Sequence, residues 1–93
     1  MSCQDMAVRL RVVLGRYRSA IDHLSVEERD DFLRVAGHAD QVVNSLETED
    51  VDGAKIGLYA FSRQVSDSFF VQPEAFKDLA KEIAEVKRNL IAR

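Results

Sequence analysis

The side chains able to act as nucleophiles, general bases or metal ligands are few and scattered. The chain has one cysteine and two histidines in 93 residues. Cys3 is far in sequence from both His23 and His38, and a thiol becomes reactive only where a nearby base, cation or helix N-terminus lowers its pKa. It is expected near a frayed N-terminus with incidental exposure. As the sole cysteine, it forms no internal disulfide, so the fold does not depend on an oxidising compartment. His23 follows Asp22 at the end of a helical pattern, where a cation suits the helix dipole. Metal centres in helical bundles use inward glutamates and a Glu-x-x-His spacing, and no such spacing occurs here. Phosphate-cradling loops place glycines between a strand and a helix. Gly15, Gly37, Gly53 and Gly57 all fall inside helical patterning. The residues therefore point away from an enzyme, and no cofactor or metal site is expected.

The elements that would carry these side chains are helical throughout. Met6, Leu10, Val13, Tyr17 and Leu24 mark one helix face, with Ala20 in the gap and Leu14 and Ile21 widening it. Ser2 with Asp5 three residues on forms an N-cap pair, and Ser25 with Glu28 opens the next helix as a capping box. The second stripe is Phe32, Ala36, Ala39, Val43 and Leu46. The third begins between Thr48 and Asp52 and runs through Val51, Ala54, Leu58, Phe61 and Val65 to about Phe69. Pro73 suits a first helical position, and Phe76, Leu79, Ile83, Val86 and Leu90 form the last stripe. No segment alternates with the period of a strand. The expected fold is all-α, an antiparallel up-down-up-down four-helix bundle. Its helices span about 3–24, 26–46, 50–70 and 73–92, in a single domain over 1–93. Short connections make successive helices antiparallel neighbours. A helical hairpin that completes its core by dimerising is the alternative.

Charge narrows the partners. Thirteen basic and sixteen acidic side chains give a formal −3. Residues 1–24 carry four arginines and two aspartates, whereas residues 25–50 carry eight acidic and two basic side chains. Duplex-binding domains present a basic face, so nucleic acid is disfavoured. No apolar run approaches the ~18 residues that span a bilayer. Asp5 and the arginines from Arg9 interrupt any signal-peptide core. A cytoplasmic protein without membrane contact is expected.

His38 lies mid-helix, away from the core line of the second helix. A histidine so placed on a bundle of this length resembles the histidine phosphotransfer domains. That family typically carries Lys and Gly three and four positions after its histidine, where this chain has Gln41 and Val42. The departure removes the cation that would assist phosphoryl charge. A relay at His38 is thus the third functional reading.

Two helices carry more apolar surface than a four-helix core requires. Val8, Val12, Gly15 and Ser19 step along the first helix opposite Leu10 and Tyr17, bordered by Arg9, Arg11, Arg16 and Arg18. A small-residue seam with a charged border suits close helix–helix contact. In the third helix, Gly53, Ile56 and Ala60 lie off the main stripe. Gly57 there costs about 1 kcal/mol against alanine in a helix interior, which calls for a packing reason such as close approach of another backbone. The leading expectation is a non-enzymatic protein–protein interaction module (an adaptor, chaperone or regulator) that forms a homodimer and can also bind a heterologous protein. The second is an inhibitor of the immunity or antitoxin kind, whose acidic block, including Glu27, Asp30 and Asp31, would mask a basic target.

Overall fold

Side-chain caps set three of the helix starts. The Ser2 hydroxyl accepts from the Asp5 N–H at 3.1 Å, Ser25 from Glu28 at 3.4 Å, and the Asp50 carboxylate from Gly53 at 2.9 Å. Each cap satisfies a backbone donor that the first helical turn leaves without an intrahelical acceptor. The computed structural model describes residues 2–91. Among them four helices form: α1 (Cys3–Ile21), α2 (Val26–Glu47), α3 (Val51–Asp67) and α4 (Phe76–Ile91). The described residues contain no strand.

The helix ends differ from the sequence expectation in three places. α1 stops at Ile21 rather than near residue 24, and Leu24 enters a turn in which its N–H donates to the Ile21 carbonyl at 3.1 Å. Leu24 still packs against the core. α3 stops at Asp67 because Ser68 adopts an extended backbone, with ψ 136°. α4 starts at Phe76 instead of Pro73. Residues 73–75 form a turn closed by the Phe76 N–H to Pro73 carbonyl bond at 2.9 Å. Phe69 therefore leaves the third stripe altogether.

The N-terminus also corrects expectation. Cys3 is buried in the first turn of α1 rather than frayed. Gln4 donates from Nε2 to the Glu47 carbonyl at 2.8 Å, tying the start of α1 to the end of α2. The α2–α3 connection is tight. The Glu49 N–H bonds the Leu46 carbonyl at 3.1 Å and the Asp50 N–H bonds the Ser45 carbonyl at 2.8 Å. This is the paired bonding of a Schellman cap, and it forces Glu49 into the left-handed region at φ 58°.

Packing follows the antiparallel order. Pairs such as Tyr17 with Phe32, Gly57 with Val42, Phe61 with Phe76 and Arg9 with Glu82 fix the register of each adjacent helix pair. α1 packs on α2 and α4, and α3 packs on α2 and, less extensively, on α4. α1 and α3 are thus diagonal. The molecule is an up-down-up-down bundle measuring 39 × 22 × 18 Å. Its radius of gyration of 12.6 Å is close to the value of about 12.3 Å expected for a folded chain of this length. The core is apolar: no polar or charged residue is buried among the described residues. No helix among them is long and apolar enough to cross a membrane.

An aromatic chain closes one end. Phe70, Phe32, Tyr17, Phe76 and Phe61 follow one another with ring centroids 6.1–6.4 Å apart, joining all four helices and the α3–α4 loop. Edge and offset contacts at this spacing add to the burial energy. The Tyr17 hydroxyl donates to Gln72 Oε1 at 2.8 Å. Burial, with the negative charge of Asp31 adding to it, pushes the Tyr17 phenol well above its ordinary pKa.

Candidate interaction surfaces

The α1 seam stands on the surface. Val8 is 62% exposed and Val12 52%, and Gly15 and Ser19 are exposed beyond them. Open space surrounds the Cβ position of Gly15. Three of the four bordering arginines turn sideways onto the chain's own carboxylates. Arg9 pairs with Glu82 of α4 at 3.0 Å, and Arg11 and Arg18 pair with Glu47 and Asp40 of α2. The seam is therefore small, largely apolar and flanked by three paired arginines and the exposed Arg16.

The third-helix residues divide. Ile56 is exposed. Gly53 and Ala60 are half-buried. Gly53 serves the α3 cap, since a Cβ there would press on the capping Asp50 carboxylate, with Asp50 Cγ at 2.8 Å, and on Ser45 Oγ at 2.9 Å. Gly57 is buried against α2, where a Cβ would meet Val42 Cγ2 at 2.8 Å and the Val42 backbone nitrogen at 3.3 Å. The close backbone approach expected of Gly57 is thus an intramolecular one.

The acidic block divides as well. Glu27 and Asp30 are exposed. Asp31 is half-buried and accepts from the Ser68 hydroxyl and, at 3.4 Å, from Gln64 Nε2. Asp40 and Glu47 are held by the α1 arginines. Much of the charge that suggested a basic target is engaged within the bundle. His38 is half-buried on α2, with Gln41 exposed and Val42 in the core. His23 is exposed in the α1–α2 turn. No group of three or more His, Cys, Asp or Glu side chains that could hold a metal occurs among the described residues.

Sequence reasoning missed two surfaces. The first is the segment joining α3 to α4. Its alternate residues face inward: Ser68 bonds Asp31, Phe70 packs edge-on against Phe32 at 6.3 Å, and Gln72 accepts from Tyr17. The residues between them face out, leaving Phe69 98% and Val71 94% exposed. Three anchors thus hold two apolar side chains in water. The available signal was the run of three consecutive apolar residues, Phe69, Phe70 and Val71, ending two positions before Pro73. The second surface is a groove of about 360 Å³ between α3 and α4. The buried Leu58 and Leu90 line its floor, the exposed Tyr59 and Ile91 its walls, and Lys55 and Lys87 its rim. Its signal is tertiary, because it opens where α3 and α4 pack least closely.

The class these features define is a small antiparallel four-helix bundle whose outer faces carry apolar side chains in ordered arrangements. Comparison with known proteins finds no matching family model, no similar curated protein and no similar solved structure.

Proposed function

We propose that this chain is a non-enzymatic helical interaction module that self-associates by pairing α1 with α1 of a second copy. The observation that carries the reading is the α1 seam. Val8, Val12, Gly15 and Ser19 form one exposed line, and three of the four flanking arginines, Arg9, Arg11 and Arg18, are drawn aside into ion pairs with α2 and α4. Small side chains allow two helix axes to approach closely. A line of this kind is self-complementary across a two-fold axis, as a symmetric dimer interface requires. The role is that of an adaptor, chaperone or regulator acting through its surfaces. Ile56 on α3, diagonal to α1, leaves a separate face for a heterologous protein.

The test is mass in solution by light scattering over about a hundredfold range of concentration. The native chain is expected to associate. Val12→Asp is expected to weaken the α1 contact at least tenfold, or about 1.4 kcal/mol, with an unchanged helical circular dichroism spectrum. Association of unchanged affinity in that variant would remove α1 from the interface.

A further inference from the structure

We infer that Phe69 and Val71 of one molecule dock into the α3/α4 groove of a second copy, head to tail. The inference rests on the reading of the chain as a self-associating module and uses a surface other than the α1 seam. Seven aromatic residues are present. Five form the chain of rings that closes the bundle end. The two outside it are Phe69, at the tip of the anchored loop, and Tyr59, in the wall of the groove. Aromatic side chains held out of the core are the residue type that anchors interfaces by filling apolar sockets.

The two surfaces also differ in charge. Asp67 and Glu74 flank the loop and are exposed, as are Asp22, Glu27 and Asp30 at the same end of the bundle. Lys77 lies 3.4 Å from Glu74 and offsets one of these charges. The charged residues lining the groove are instead Lys55 and Lys87, with the exposed Asp52 one turn before Lys55. An apolar knob in an acidic surround matches an apolar socket with a basic rim. It mismatches a second acidic loop end, which rules against loop-to-loop pairing, and an anionic lipid surface, which rules against an anionic membrane.

Geometry places the match between molecules rather than within one. The loop joins the end of α3 to the start of α4, whereas the groove is built on the first two-thirds of α3 and the last turn of α4. The near edge of the groove, Ser62, lies five residues before the end of α3, and its far wall, Ile91, lies a full α4 length of about 24 Å from the loop. Phe69 is 98% exposed and so does not fill the groove of its own chain. A knob and a socket on different surfaces, used head to tail, make a heterologous contact, which propagates into a ring or an open chain.

The experiment uses full-length protein in a Val12→Asp background, so that the α1 contact does not contribute. Sedimentation and light scattering across concentration should show mass growing beyond a dimer for an open chain, or reaching a closed ring. Phe69→Asp, which spoils the knob, and Ile91→Asp, which spoils the socket wall, should each weaken association at least tenfold. Both sites are exposed, and circular dichroism checks that each variant folds. An equimolar mixture of the two variants should form a 1:1 heterodimer and nothing larger, because it retains one intact knob and one intact socket. Salt should weaken that heterodimer by screening.

A mixture that stays monomeric overturns the inference. So does association in the Val12→Asp background that Phe69→Asp leaves unchanged, or binding of the loop to neutral phosphatidylcholine vesicles in place of the second copy. If the native chain dimerises and Val12→Asp makes it strictly monomeric, the head-to-tail contact fails while the α1 reading stands. If the native chain is itself monomeric at every concentration, both fail.

Discussion

At the scale of single residues, position in the bundle reverses the effect of the same substitution. Gly37 and Gly57 both occupy helix interiors, where glycine is about 1 kcal/mol less favourable than alanine. Open space surrounds the Cβ position of Gly37, so Gly37→Ala should raise stability by roughly that amount. A Cβ at Gly57 would press on Val42 and its backbone. Gly57→Ala should therefore destabilise by about 1–3 kcal/mol despite better propensity, as overpacking does. Urea midpoints of the two variants check the opposite signs. Glu49 presents a second local conflict, an L-residue at φ 58° where the helix cap favours glycine. The left-handed conformation costs such a residue about 1–2 kcal/mol, and glycine's extra unfolded-state freedom offsets part of the gain. Glu49→Gly should raise stability by about 1 kcal/mol, read from the same denaturant curves.

At the scale of elements, what the sequence made legible was what depends on local periodicity. The stripes through Leu10 and Tyr17, Phe32 and Ala39, Leu58 and Phe61, and Ile83 and Leu90 all reach the core, and Ser2 and Ser25 cap as their spacing indicates. The seam at Val8 and Val12 is exposed for the same reason, since the helical period fixes which side faces out. What escaped was set by contacts distant in sequence. α3 ends at Asp67 because Ser68 reaches Asp31, 37 residues away, and Phe70 reaches Phe32. Helical spacing alone could carry the stripe on to Phe69, because nothing local signals these anchors. The burial of Cys3 and the α3/α4 groove are tertiary in the same sense. The anchoring can be tested directly. Ser68→Ala removes the bond to Asp31 and the hydroxyl that accepts from the Phe70 N–H at 3.4 Å. Amide hydrogen exchange at Phe70 and Val71 should accelerate, with protection in the four helices and the helical circular dichroism unchanged. Unaltered exchange in the loop would mean that Phe70 packing and the Gln72 bond hold it without Ser68.

At the scale of the whole molecule, the closed end makes stability depend on one phenol. Tyr17 has no exposed surface, contacts the rings of Phe32 and Phe76 from α2 and α4, and donates to Gln72 in the loop. Ionisation would place a charge among these rings, and the nearby Asp31 carboxylate adds repulsion. The folded-state pKa is therefore raised above the unfolded value near 10. Below pH 10 the phenol is protonated in both states and its contribution is fully present. Above pH 10 the unfolded chain releases this proton while the folded chain keeps it, so stability falls by about 1.4 kcal/mol per pH unit from this group until the folded-state value is reached. Tyr17→Phe removes that slope. It also leaves Gln72 Oε1 without its hydrogen bond, so the variant should be less stable near neutral pH but less sensitive to alkali. Denaturant unfolding at pH 8, 10 and 11 compares the two proteins, and parallel pH dependence would place the alkaline sensitivity elsewhere. Because the rings connect all four helices, the loss should be a single cooperative transition in which α1 and α4 unfold together with α2 and α3.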